Sequence, residues 1–124
     1  MFLSCKPGVK WTNRGNPTSV DYQKVDFTID GVCHLKDISA IVGKGRKLVS
    51  FFVRAQSNTV DGQIILFDPD NTGHVNITAM FVPKGQQVWQ TLWVYTNAGG
   101  EIGYRITVDP AFSYVTIVVN GWLD

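Results

Sequence analysis

From residue 25 onward, extended runs rich in β-branched and aromatic residues alternate with turn clusters at a spacing of about ten residues. No stretch carries a sustained helical period. Links this short leave no room for crossover helices, so the strands must pair antiparallel and pack in layers. Strands are expected over residues 25–29, 32–35, 48–56, 62–67, 74–82, 86–95, 101–108 and 112–122. Asp30-Gly31 reads as a two-residue hairpin turn joining the first two. Residues 38–42 read as one helical turn, and Asp68 to Gly73 as a turn with a fitting residue at nearly every position. The expected fold is all-β: an antiparallel eight-stranded β-sandwich of jelly-roll type, residues 25–124, preceded by an extended arm, residues 1–24. The arm carries isolated aromatics, Trp11 and Tyr22, that can anchor it on its own domain or on a neighbour.

Alternation within the strands separates inner from outer residues. Ile102, Tyr104 and Ile106 fall on one face, Gly103, Arg105 and Thr107 on the other. Val115, Ile117 and Val119 oppose Tyr114, Thr116 and Val118, and Phe51, Val53 and Ala55 oppose Phe52, Arg54 and Gln56. The run 86–95 is different. Val88, Leu92 and Val94 make an apolar face, yet the opposite face carries Trp89, Thr91, Trp93 and Tyr95. The facing sheet covers one side of a strand only, so the second aromatic side is expected to be an interface between subunits or a platform for a ligand. Trp89, Thr91, Trp93, Tyr95 and Trp11 are the candidate contact residues.

Charged residues make up 17% of the 124-residue chain, which contains 12 glycines and has a formal net charge of +1. Basic residues are scattered apart from Lys44-Gly45-Arg46-Lys47, which argues against a nucleic-acid partner. No apolar run reaches the length of a membrane span, and residues 1–5 are too short for the apolar region of a signal peptide. Cys5 and Cys33 can form at most one bridge, and two reduced thiols are the expectation.

Catalytic constellations are thin. The single glutamate is Glu101, and most of the nine aspartates sit at turn signals, so a facing carboxylate pair is not expected. Cys33 and His34 are neighbours on a strand and point to opposite faces, which prevents a nucleophile–base couple. His34 and His74 lack a convincing carboxylate partner for a metal. Asp68-x-Asp70-Asn71-x-Gly73 is like the start of a calcium loop, but Ala79 stands where the distal bidentate acid belongs. No enzyme activity, metal or cofactor is expected.

Asp26-Phe27-Thr28-Ile29-Asp30-Gly31, His34-Leu35, Asp37-Ile38-Ser39-Ala40-Ile41-Val42, Gly45 and Leu48-Val49, closed by Gly121-Trp122, resemble a β-sandwich module of tailed-phage structural and tail-fibre-like proteins. The resemblance covers about residues 25–124. Cys33 stands where that module has tryptophan, and Gly43 where it has proline. It implies a virion protein, made in a bacterial cytoplasm, that decorates a capsid or forms part of a fibre or tail tip. The implied partners are further copies of the chain as a homotrimer and a major capsid or tail protein. The alternative is a stand-alone carbohydrate-binding module that holds a surface glycan on its aromatic platform.

Overall fold

The computed structural model describes residues 10–15, 17–71, 77–107 and 112–124. Among these residues the chain is all-β, with nine strands: β1 (Trp11–Asn13), β2 (Tyr22–Gln23), β3 (His34–Asp37), β4 (Leu48–Ser57), β5 (Gly62–Phe67), β6 (Ile77–Val82), β7 (Gln87–Tyr95), β8 (Glu101–Ile106) and β9 (Phe112–Leu123). A single helical turn, α1 (Ser39–Val42), follows β3. The strands form two antiparallel sheets. One has the order β1-β9-β4-β7, with β2 beside β1 along the same edge of β9; the other has the order β3-β8-β5-β6.

The core lies between the sheets and follows the alternation. Phe51, Val53 and Ala55 of β4, Leu92 and Val94 of β7, and Val115, Ile117 and Val119 of β9 meet Ile64 and Leu66 of β5, Met80 and Val82 of β6, and Ile102, Tyr104 and Ile106 of β8. Full burial of each such Val, Leu, Ile, Met or Phe side chain is worth about 1.5–3 kcal/mol. Ile38 and Val42, at either end of the α1 turn, bury completely and extend the same core.

A bulge in β9 changes which side chains face inward. Val119 pairs with Phe51 on the core side, but the register slips there, and Gly121 pairs with Ser50. Trp122 therefore turns towards the core, while Gly121 lies on the outer side. The closing Gly-Trp pair straddles this change of phase.

The N-terminal segment departs from expectation. Residues 25–29 do not form a strand, and Asp30-Gly31 does not close a hairpin. Instead Lys24–Asp26 is a 3-10 turn, fastened where the Asp26 carboxylate accepts the Gln23 N–H at 2.7 Å. The Thr28 N–H donates to the Tyr104 hydroxyl at 2.8 Å rather than to a neighbouring strand. Asp30 Oδ1 accepts the Val32 N–H at 2.9 Å, and the Gly31 N–H donates across to Ile106 O. Local side-chain bonds thus replace the hairpin ladder, and β3 pairs with β8. The count of nine strands arises because the described part of the arm supplies β1 and β2 on the edge of β9. Asp21 secures that edge: its carboxylate accepts from Arg14 Nη1 and from the Val119 N–H beside the bulge.

Candidate functional site: an aromatic outer face

The expected separation of faces in β7 is present. Leu92 and Val94 are buried, whereas Trp89, Trp93 and Tyr95 are 57%, 45% and 43% exposed. Thr91 is also exposed on this outer side. The pairing register lines these residues up in rows across β7, β4 and β9: Tyr95–Leu48–Leu123, Trp93–Ser50–Gly121, Thr91–Phe52–Val118 and Trp89–Arg54–Thr116.

One row is hollow. Ser50 and Gly121 leave a trough beside Trp93, and the indole of Trp11 occupies it. A Cβ on Gly121 would stand 2.5 Å from Trp11 Cζ2 and 2.3 Å from the Thr12 carbonyl oxygen. Across the trough the Trp11 and Trp93 ring centroids are 5.6 Å apart at 45°. Trp11, 43% exposed, thus belongs to the same surface as the β7 rings, brought there by β1.

Cations lie over the remaining rings. The Arg46 guanidinium sits 4.5 Å from the Tyr95 centroid while its fork grips Asp68, Nη1 to Oδ1 at 3.0 Å and Nη2 to Oδ2 at 2.6 Å. The Arg46 guanidinium holds the Asp68 carboxyl below the usual carboxylate range, and the carboxylate in turn raises Arg46. Both Asp68 oxygens are therefore engaged by a side-chain cation. Thr72, Gly73 and His74, which complete the calcium-like pattern and one histidine candidate, lie outside the described residues. At the other end Arg54 lies 5.8 Å from the Trp89 ring and 5.9 Å from the Tyr114 ring.

Two depressions flank this face. One, of about 360 Å³, is lined by Phe52, Arg54, Gln87 and Trp89. The other, of about 240 Å³, runs along the seam between β6 and β7 and is lined by Leu48, Asp68, Ile77, Thr78, Trp93, Val94 and Tyr95. At this seam the Thr78 hydroxyl donates to the Trp93 carbonyl at 2.8 Å and ties the β7 edge to the other sheet.

The other sequence candidates stand elsewhere. His34 Nε2 and Asp30 Oδ1 are 2.8 Å apart at the exposed start of β3, and the Val32 N–H and His34 hold Asp30 below its ordinary range. Cys33 is exposed; Cys5, and with it any bridge, lies outside the described residues. Among the described residues no group of three or more His, Cys, Asp or Glu side chains comes together, and no helix is long and apolar enough to cross a membrane. Phe52, Arg54, Leu48 and Arg46 belong to the surface but were not among the sequence candidates. Alternation in β4 puts Phe52 with Arg54, but only the register shows that they face Thr91 and Trp89.

No protein-family model, curated protein or solved structure matches the chain.

Proposed function

We propose that this chain is a non-enzymatic virion structural protein of a tailed phage, a capsid decoration or fibre subunit that works by assembly and surface attachment. We read its winding as a jelly roll. The pairs β1/β2 with β9, β3 with β8, β4 with β7 and β5 with β6 are nested, as if one long hairpin were wrapped around the core. The observation that carries the assembly reading is the aromatic outer face. Trp11, Trp93 and Tyr95, extended by Thr91 and Trp89, form a contiguous exposed surface on a protomer whose core is already complete without them. Contiguous apolar surface of this kind marks an interaction site, and aromatic residues are enriched at subunit contacts. Further copies in a homotrimer, seated on a capsid or tail protein, would cover it. The phage setting rests on the resemblance of the 26–49 segment and of Gly121-Trp122.

Antibody labelling of purified phage particles, viewed by negative stain, tests the reading. Label on the capsid or on the tail tip is the expected result; particles that carry none of the chain would contradict it.

A carbohydrate-binding module is the second reading. It is favoured by the openness of the Trp89 ring, because exposed indole faces match the C–H faces of pyranoses. It predicts saturable binding on a glycan array.

A further inference from the structure

Trp89 differs from the other rings of the surface in its setting. Trp93 is packed by Trp11, and Tyr95 is overlaid by an Arg46 that is itself neutralised by Asp68. Trp89 instead pairs across the sheet with Arg54, whose guanidinium makes no hydrogen bond or ion pair with any described residue. The guanidinium lies near two rings, 5.8 Å from the Trp89 centroid and 5.9 Å from the Tyr114 centroid. Over this cross-strand pair lies the open depression of about 360 Å³, bounded diagonally by Phe52 and by Gln87. That volume is at the lower end of the range for small-ligand sites, roughly 300–1,000 Å³.

The lining has a specific chemistry. An indole and a phenyl ring supply flat apolar surface. The Gln87 amide can both donate and accept, which suits hydroxyl groups. The guanidinium offers a planar fork of donors that matches a carboxylate in shape and charge. A ligand that satisfies all of these is a polyol with one apolar face and an attached carboxylate.

We propose that the Trp89–Arg54 depression is a subsite for a carboxylated pyranose, a uronic or sialic-type residue of an acidic surface glycan. The sugar ring lies on Trp89, its carboxylate meets Arg54, and Gln87 contacts a hydroxyl. The proposal rests on the carbohydrate reading and competes with the assembly reading for Trp89, because a second copy seated on the whole aromatic face would cover the depression.

The test is a titration of the full ¹⁵N-labelled chain with tetragalacturonate and with sialyllactose, following the four tryptophan indole N–H signals. The Trp89→Phe variant, which keeps a ring in place, assigns the signal. Fully methyl-esterified tetragalacturonate serves as the uncharged control. We expect at least one acidic probe to shift the Trp89 signal saturably, and the ester to bind at least about tenfold more weakly than the free acid. Arg54→Gln should reduce the acid to the ester's affinity, and added salt should weaken the acid alone. Equal binding of acid and ester would overturn the proposal while leaving a neutral carbohydrate module standing. Absence of a saturable shift with both acidic probes would overturn it as well. So would a Trp89 signal that moves only with protein concentration, which would place a second copy of the chain in the depression.

Discussion

The Trp11 indole rests on Gly121, over a position where even a methyl group would collide with the ring and with the Thr12 carbonyl. The glycine is therefore a seat for the arm, and it lets β1 bring a tryptophan into contact with Trp93. Gly121→Ala should displace β1 from β9 at a cost of about 1–3 kcal/mol. Urea unfolding followed by tryptophan fluorescence should show a lower midpoint and a red-shifted native spectrum. An unchanged midpoint would mean that the arm can shift without loss.

Asp68 links stability to acid. Its folded pKa lies below the ordinary value because Arg46 grips the carboxylate. The resulting stabilisation is fully present above the unfolded carboxylate value of about 4 and disappears as pH falls through the lower folded value. Asp68→Asn should cost about 1–2 kcal/mol at neutral pH, moderated because Arg46 is 45% exposed. The gap between variant and parent should narrow as the pH falls below about 4 in urea denaturation.

Tyr22 gives an alkaline counterpart. Burial, and then the charges of Asp21 and Asp37, push its hydroxyl up from 10.0 to about 12. The folded state therefore holds this proton while the unfolded chain has lost it, and the stabilisation, complete below pH 10, is lost as pH rises from 10 towards 12. Spectrophotometric titration should find one tyrosine ionising near 12, and Tyr22→Phe should remove that step.

Tyr114 carries a hydroxyl buried without a hydrogen-bond partner among the described residues. Its ring backs the Arg54 guanidinium, and the hydroxyl adds only a desolvation penalty. Tyr114→Phe should therefore leave stability unchanged or raise it by up to about 1 kcal/mol, as read from the thermal midpoint.

Much of this surface was legible in the sequence, because alternation is a property of each strand alone. The period of two in β7 separates Trp89, Thr91, Trp93 and Tyr95 from Leu92 and Val94 without knowledge of any partner. Register is a different kind of information. That Arg54 faces Trp89, or that Ser50 and Gly121 leave a trough for Trp11, depends on strands far apart in the chain. The bulge that turns Trp122 inward leaves no local mark beyond Gly121 itself. The Asp30-Gly31 signal misled because the Asp30 carboxylate binds the Val32 N–H and His34 instead of shaping a hairpin. β2 has two residues, too few for any period to show.

The proposed contact between copies of the chain lies on the Trp11–Trp93–Tyr95 surface. Light scattering of the purified 124-residue chain at tens of micromolar measures this most directly. A mass three times the 13.8 kDa of the protomer is expected, collapsing to the monomer in a Trp93→Ser, Tyr95→Ser variant whose far-UV spectrum is unchanged. A single monomeric mass for the parent protein across the whole concentration range would contradict it.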